Sequence, residues 1–521
     1  MTEILTSAQM RAVETAAIES GAVLGATLME RAGAGVVAAL GAAWPQLSSP
    51  GFAVVLCGPG NNGGDGFVIA RLLCDRGWRV SVLLYGDGAR LPPDASTNFA
   101  RWSELGTVSA LKDPSSGIIG ALQDKSPDLI IDALFGTGLT RDLPGDLRQA
   151  LHDASQWLRH HPAPPKVVAV DIPSGLCADT GQDRGCGLRA DLTVSFHRAK
   201  LGHYLAEGPA LCGAVCVVDI GLPDRPAKDL GDPAIVDLVG DDVSRWLRKA
   251  SGHKYDHGHA LILSGGVARG GAARLAARAA LRVGAGLVTL GVPAAALQEN
   301  AARLDAVMLH RLDGPEALIE TLRDARIATL CLGPGLGLTR ARGLVAAALS
   351  ATGSQACVRR AVVLDADALT VFAEDPGALW SLLHDRCVLT PHGGEFRRLF
   401  PDLAQVPVSD GPFSKVEAVR AAAKRAGCTV LLKGADTVIA APSGRCAVHA
   451  AAYDRAVPWL ATAGAGDVLA GVITGLLARG VPSFEAASVG AWLHVEAARR
   501  FGPGLIAEDL PDQIPQVLRG L

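Results

Sequence analysis

The sequence predicts an α/β protein of two domains, each built on a mostly parallel sheet. Three observations carry this. Short β-branched runs alternate with amphipathic helical stretches along the whole chain. That alternation breaks once, in a Gly-, Pro- and Asp-rich stretch near the middle, and then restarts. At 521 residues the chain also exceeds the size at which one hydrophobic core keeps growing.

Composition narrows the class. Hydrophobic residues make up 49% and charged residues 19%, which describes a folded chain. Ala and Gly dominate while aromatics are 4%, which suits closely packed layers of helix and sheet. A net charge of −3 supplies no broad basic field for nucleic acid. The eleven cysteines form no CxxC pair, and their odd number argues against a disulfide framework. Cys212 and Cys216 are the closest two, spaced to share one face of a strand and expected in the core. No signal peptide and no membrane-length apolar run is present, so a reducing cytoplasm is expected.

In chain order, residues 7–40 read as helical, with Ser7 as N-cap. Strands are expected at 53–57, 80–84, 129–133, 167–171, 192–196 and 215–219, with helices at 67–75 and 147–158 between them. Residues 1–222 form the first domain and 223–240 the linker. The second domain, 241–521, has strands expected at 259–264, 287–290, 328–332, 362–365, 387–390 and 429–433. Its helices are expected at 272–283, 467–479 and 484–500.

The first glycine loop is Gly58-Pro59-Gly60-Asn61-Asn62-Gly63-Gly64-Asp65-Gly66. Its Gly58-x-Gly60-x-x-Gly63 spacing after a strand matches a dinucleotide fingerprint, and Asp87 follows the next strand. However, a carboxylate at Asp65 would repel a pyrophosphate on the helix N-terminus. The loop suits a ligand of hydroxyls, amides or a cation. Asp132 and Asp171 end two further strands, before Phe135-Gly136-Thr137-Gly138 and Ile172-Pro173-Ser174-Gly175, and Lys200 follows a third. Ligands of open parallel sheets bind at such carboxyl ends. A lone Asp there is equally well a helix cap, though three together with the Asn loop weaken that reading, and the bland alternative for Lys200 is a surface lysine.

These motifs together resemble the NAD(P)H-hydrate epimerase family over about residues 1–222. The resemblance implies a Rossmann-like fold and a potassium ion held by Asn62, Asp132 and Ser174. It implies a hydrate pocket lined by Asn61, Asn62, Gly63, Gly64 and Asp65, by Gly136, Thr137, Gly138, Leu139, Thr140, Arg141 and Asp142, and by Asp171. Neutral oxygens with one carboxylate agree with a hard monovalent cation. Asp171 is the expected acid/base group and Lys200 the second candidate.

In the second half, Ala463-Gly464-Ala465-Gly466-Asp467 opens directly into an apolar helical pattern. A helix N-terminus offers free N–H groups and partial positive charge, and small residues let a phosphate approach it. Asp467 sets a base beside that anion site, an arrangement suited to phosphoryl transfer to a hydroxyl. Leu332-Gly333-Pro334-Gly335-Leu336-Gly337, Thr390-Pro391-His392-Gly393-Gly394-Glu395 and Leu432-Lys433-Gly434-Ala435-Asp436-Thr437 are further turns after strands. The set resembles the ribokinase-like superfamily. With Asp365-Ala366-Asp367 and His253-Lys254-Tyr255 it is similar to the ADP/ATP-dependent NAD(P)H-hydrate dehydratases, over about residues 240–521.

By that resemblance, Lys433, Gly434, Ala435, Asp436, Thr437 and Gly466 contact ADP or ATP. Ala272, Gly337, His392 and Asp467 contact the hydrate, with Asp467 the base. The family commonly has His-Pro-Gly-Glu where this chain has His392-Gly393-Gly394-Glu395, which loosens that turn. Asp365 and Asp367 either adjoin the Mg²⁺-nucleotide or, for Asp365, cap a turn. His253, His257 and His259 lack partnering Cys or acidic ligands, so a solvated lead-in loop is expected over a metal cluster.

The resemblance implies a two-activity enzyme acting on NADH or NADPH hydrated at C6. The first domain would interconvert R and S epimers. The second would dehydrate the S form at the expense of ADP or ATP. The alternative is a vitamin-precursor kinase fused to a non-catalytic ligand-binding domain. Partners are small molecules, with no nucleic acid and no membrane, and the resemblance implies a homo-oligomer.

Overall fold

In the computed structural model, residues 2–111, 117–139, 141–185, 187–222, 235–352, 360–404 and 414–521 are described. They fall into two compact units that succeed one another at Ile235 and Val236. Val236–Leu238, within the stretch expected as linker, is a strand of the second unit. Residues 223–234 of that stretch lie outside the described residues.

The N-terminal unit holds β1 (Phe52–Cys57), β2 (Arg79–Leu84), β3 (Val108–Ala110), β4 (Leu129–Ala133), β5 (Lys166–Val170), β6 (Leu192–Phe196) and β7 (Ala214–Val218). They pair in parallel in the order 3-2-1-4-5-6-7. Helices on both faces bury β1 and β4 completely, which is why both read as unbroken apolar runs. The order reverses between β1 and β4, so their carboxyl ends open a crevice there.

Three local expectations change. The glycine loop is not a loop after Gly60: Asn61–Asp75 is one helix. A side chain at Gly63 would overlap the Gly58 carbonyl, so the glycines let the first turn of this helix lie on its own entry loop. Residues 7–40 form two helices, Ser7–Glu19 and Gly25–Ala43, because Gly21 (φ +71°) breaks the run. Thr6, not Ser7, is the cap, its hydroxyl accepting from Gln9 N while Gln9 accepts from Thr6 N. Cys212 is not on a strand; it caps the Gly208–Leu211 helix, four residues ahead of Cys216 in β7.

The C-terminal unit contains β8 (Val236–Leu238), β9 (His259–Leu263), β10 (Leu287–Val292), β11 (Met308–Arg311), β12 (Ile327–Leu332), β13 (Ala361–Leu364), β14 (Cys387–Leu389), β15 (Thr429–Leu432), β16 (Asp436–Ala440) and β17 (Cys446–Ala450). Their order is 8-17-16-15-14-13-12-9-10-11. The block from β15 through β11 is parallel, and β16 and β17 add an antiparallel extension. The Ala465–Ala478 helix is apolar on nearly every side because it is buried on nearly every side. Its Gly471 and Gly475 lie against the Ala276 and Ala280 backbone of the Gly271–Arg282 helix, leaving no room for larger residues. This close approach explains the Ala- and Gly-rich composition. No helix among the described residues is long and apolar enough to cross a membrane.

Candidate active sites

In the N-terminal unit, β5 ends at Val170 and the chain turns sharply at Asp171, whose φ is +67°. A non-glycine residue in this region is strained by about 1–3 kcal/mol and persists only where surroundings hold it. Here they do. Asp171 Oδ1 accepts from Lys200 Nζ at 2.8 Å and Ser195 Oγ at 3.0 Å, and its carbonyl lies 2.9 Å from His203 Nε2. Lys200 is fully buried, its ammonium also donating to Ser195 Oγ and Phe196 O. The surface-lysine alternative is thereby excluded. Burial alone would raise the Asp171 carboxyl, but the Lys200 charge and hydrogen bond overcome it and hold the group below its ordinary value.

The other oxygen, Oδ2, lies beside Gly136. A methyl group placed on Gly136 would sit 3.4 Å from Asp171 Oδ2 and 3.0 Å from Asn62 Oδ1. Gly136 therefore leaves open a space where the carboxylate and the amide converge. Asn62 Nδ2 is buried with no hydrogen-bond partner among the described residues. Left without a partner, such a donor costs about 1–3 kcal/mol.

Asp132 is buried at the end of β4. Its Oδ1 accepts from Ser174 Oγ at 2.6 Å and Leu134 N at 3.3 Å, and its Oδ2 from Ser174 N at 2.9 Å. All of these donors are neutral. Burial consequently pushes the carboxyl up, against the pull of the Ser174 bonds.

Two further carboxyls belong to this site. Asp65 and Glu14 line a crevice of about 150 Å³ with Asn61, Asp94 and Phe196. Burial, then the charges of Asp171 and Glu14, push Asp65 well up, and burial and Asp171 raise Glu14. Glu14 escaped sequence reading because it lies on the opening helix, far from any glycine motif. Of the stretch 136–142, Asp142 is exposed and lies 3.7 Å from Arg184, and Thr140 is outside the described residues.

In the C-terminal unit the strand ends again gather polar groups. Lys433, after β15, reaches Asp365, after β13, with Nζ 2.6 Å from Oδ1. Thr390 Oγ1 donates to the same oxygen at 2.9 Å. Asp365 makes no side-chain cap of the Asp367–Thr370 turn; its Oδ1 is paired with Lys433. Burial would lower the Lys433 ammonium, yet Asp365 holds it above its usual value. The turn that permits this needs glycine: Gly333 has φ +126°, and a side chain there would overlap the Asp365 carbonyl. Asp367 Oδ2 accepts from Gly337 N at 2.8 Å.

Gly464 (φ +90°) leads into the Ala465–Ala478 helix, with Asp467 in its first turn. A methyl group on Gly466 would lie 3.3 Å from Lys433 Nζ, so the helix N-terminus and the ammonium face one another. Asp467 is pushed up to about 6, first by burial and then by Asp365, with Lys433 opposing. A carboxylate poised there is a competent base near neutrality. Ala272 begins the helix that flanks Gly335 and Gly337, its Cβ 3.3 Å from a methyl placed on Gly335.

A cavity of about 680 Å³ adjoins this centre, lined by Lys433, Gly434, Ala435, Thr437, Gly466 and His392 among others. Asp436 instead turns away to pair with Lys415, 2.6 Å from its Oδ1. The turn at His392 stays ordered without proline. His392 Nδ1 accepts from Gly394 N at 2.9 Å and Glu395 Oε2 accepts from His392 N at 2.8 Å, a reciprocal cap. His253 and His257 flank a short turn, whereas His259 is not in a solvated loop. It is buried in β9 with Nε2 2.8 Å from Thr289 Oγ1. Among the described residues no three His, Cys, Asp or Glu side chains form a metal cluster.

A family model described as NAD(P)H-hydrate dehydratase matches residues 260–517, and one described as YjeF-related protein N-terminus matches residues 25–202. The bifunctional NAD(P)H-hydrate repair enzyme Nnr of Salinibacter ruber is 36% identical over 99% of this chain and 96% of its own. Its counterpart in Moorella thermoacetica is 35% identical over 99% and 97%. A solved ADP/ATP-dependent NAD(P)H-hydrate dehydratase from Bacillus subtilis, co-crystallised with ATP and Mg²⁺, is 27% identical over 55% of this chain and 98% of its own, with a TM-score of 0.43.

Proposed function

The chain belongs to the bifunctional NAD(P)H-hydrate repair enzymes, and from that premise we propose how its two sites divide the work. The N-terminal unit epimerises C6-hydrated NADH and NADPH, and the C-terminal unit dehydrates the S epimer to NAD(P)H using ADP or ATP. The carrying observation is the contrast between two carboxylates, one at a strand end and one in the first turn of a helix. Asp171 is held ionised by a buried ammonium, and Asp467 is poised at about 6 beside a helix N-terminus.

Hydroxide is a poor leaving group, so dehydration needs activation. Asp467 takes the proton of the C6 hydroxyl as that oxygen attacks the terminal phosphoryl group. The backbone amides at 464–466 and the Lys433 ammonium stabilise the charge developing on the phosphoryl oxygens. The ring nitrogen lone pair then expels phosphate, giving an iminium, and loss of the C5 proton restores the reduced nicotinamide. ADP leaves as AMP, or ATP as ADP, with free phosphate. Mg²⁺ enters as part of the nucleotide substrate. Ala272, Gly337 and His392 contact the hydrate, while Lys433, Gly434, Ala435, Thr437 and Gly466 contact the nucleotide. Asp436 serves that loop through its pairing with Lys415.

In the N-terminal unit Asp171 Oδ2 exchanges a proton with the C6 hydroxyl, and Lys200 positions it through Oδ1. The crevice formed by the helix 61–75 and the turn after β4 holds the nicotinamide portion. The oxygens there fit a potassium ion: Asp132 is a buried carboxylate with neutral partners only, and Asn62 Oδ1 borders the space at Gly136. Asn62, Asp132 and Ser174 would hold it. Held by these oxygens, K⁺ would supply a fixed positive charge for the anionic substrate. A cytoplasmic location is part of this reading, supported by nine free cysteines among the described residues. A homo-oligomer rests on the family resemblance.

The test is recovery of reduced-nicotinamide absorbance from mixed R and S NADPH hydrate with Mg²⁺ and K⁺, with and without ADP or ATP. Nucleotide-dependent recovery beyond the S fraction, faster than spontaneous epimerisation, is the expected result. Recovery halting at the S fraction removes the epimerase assignment. A stable phosphorylated product in place of free phosphate would point to a kinase.

A further inference from the structure

The C-terminal sheet has its own point of reversal. β9 lies between β12 and β10, so strand order runs one way through β12 and the other way through β10. The carboxyl ends of β9 and β12 therefore open a crevice between the loops that follow them. These two loops are pinned together backbone to backbone. A side chain on Gly265 would overlap the Gly335 carbonyl, and one on Gly335 would come 2.7 Å from the Arg269 carbonyl.

The loop after β9 ends in a cation. Ala268 has φ +62°, a strained conformation for a residue with a side chain. Glu299 holds it there, its Oε2 accepting from Ala268 N at 2.7 Å while its Oε1 accepts from Arg274 at 3.3 Å. The next residue, Arg269, is exposed, and its guanidinium makes no hydrogen bond or ion pair among the described residues. Its Nη1 lies 3.3 Å from where a methyl on Gly337 would sit. Chain neighbours aside, no other atom comes within 4 Å of that methyl. The guanidinium thus stands over Gly337 at the crevice, with its charge unmatched by the protein.

Its place relative to Asp467 suits one part of a dinucleotide. On the Gly271–Arg282 helix, Ala272 faces Gly335, and Leu275 faces Gly464, beside which Asp467 Oδ2 lies. Three residues, about 4.5 Å of helix rise, separate these two contacts. Arg269 precedes the helix, on the Gly335 side. In the hydrated dinucleotide the pyrophosphate is one ribose away from the nicotinamide ring, whereas the 2′-phosphate of NADPH is farther off on the adenosine. Arginine stays charged and pairs its planar N–H fork with phosphate oxygens.

We propose that Arg269 binds the pyrophosphate of the hydrated dinucleotide and so sets the affinity of the dehydratase site for its substrate. This rests on the reading of Ala272 and Gly337 as hydrate contacts.

The experiment measures KM and kcat of the full-length protein for S-NADH hydrate and S-NADPH hydrate at saturating ADP, and KM for ADP at saturating hydrate. Arg269→Gln should raise KM at least about 10-fold for both hydrates. Its kcat and its KM for ADP should stay within about 2-fold of wild type. Arg269→Lys, which keeps the charge but not the fork, should fall between the two. An unchanged KM for both hydrates overturns the proposal. A rise confined to NADPH hydrate puts the guanidinium on the 2′-phosphate and overturns it too, as does a rise confined to ADP. Epimerisation and Tm equal to wild type show that a raised KM is local; if Arg269→Gln loses both, Arg269→Lys decides. A wild type that dehydrates no S hydrate with either nucleotide would instead overturn the hydrate-site reading itself.

Discussion

Lys200 Nζ sits 2.8 Å from Asp171 Oδ1, and the contact leaves Asp171 Oδ2 directed at the space beside Gly136. One oxygen is anchored and the other presented. Because Lys200 is wholly buried, the two residues are mutually dependent. Removing one partner of a buried pair leaves an uncompensated charge, at a cost of about 3–5 kcal/mol. Lys200→Met should therefore destabilise the N-terminal unit more than the double variant Lys200→Met/Asp171→Asn. Denaturant unfolding followed by a probe in that unit would check it; equal losses would mean the pair is not coupled.

Asp171→Asn should strand the R epimer while S-hydrate repair proceeds normally. The readout is absorbance recovery from each purified epimer. Consumption of both epimers at the wild-type rate would remove Asp171 from the mechanism.

Gly136→Ala tests the same space by filling it. The added methyl would lie within 3.4 Å of both Asp171 Oδ2 and Asn62 Oδ1. Epimerisation should fall at least about 10-fold, as expected when reacting groups are displaced by a fraction of an ångström to an ångström. Dehydration of the S epimer should be unaffected. Undiminished epimerisation would show that the hydroxyl binds elsewhere.

Asp467 gives a prediction in pH. Its carboxyl is raised from 3.8 to about 6, and it must be ionised to act as base. Dehydratase kcat/KM should rise with pH through an apparent pKa near 6. Lys433 lowers this value, so Lys433→Met should move the limb to higher pH as well as weaken nucleotide binding. Asp467→Asn should abolish nucleotide-dependent repair and spare epimerisation. The sign for stability is opposite to that of an ordinary salt-bridged Asp. A raised carboxyl is ionised at a cost in the folded state above pH 6, so the Asn variant should be more stable at pH 8 and no different below about pH 4. Thermal unfolding at the two pH values decides.

Potassium dependence is the fifth test. Replacing K⁺ with a bulky organic cation should slow epimerisation, and Asp132→Asn should remove the difference between the two salts. An epimerase indifferent to the cation would leave Asp132 a purely structural carboxylate.

Much of this was legible in the chain. The β-branched runs at 53–57, 129–133 and 192–196 announced parallel strands because such strands are buried on both faces. Gly464-Ala465-Gly466-Asp467 announced a helix N-terminus with a carboxylate because free amides, small residues and an acid in that order have few other uses. Local patterns of this kind are written in periods of two to four residues. Other features were not. Residues 61–66 read as a loop from their glycines, yet they form a helix because the turn packs on Gly58. The antiparallel strands β16 and β17 went unseen because their short runs lie among turn residues.

By itself, then, the sequence determined two α/β domains, the strand ends that bear Asp132 and Asp171, and the helix N-terminus that bears Asp467. Tertiary structure alone decided which groups share a charge. Lys200 meets Asp171 from 29 residues away, Lys433 meets Asp365 from 68, and Glu14 reaches its crevice from a helix without a motif. The physical reason is that ionisation and unsatisfied polarity depend on burial and on neighbours in space, and those neighbours come together only when the sheets bring distant strand ends to one edge.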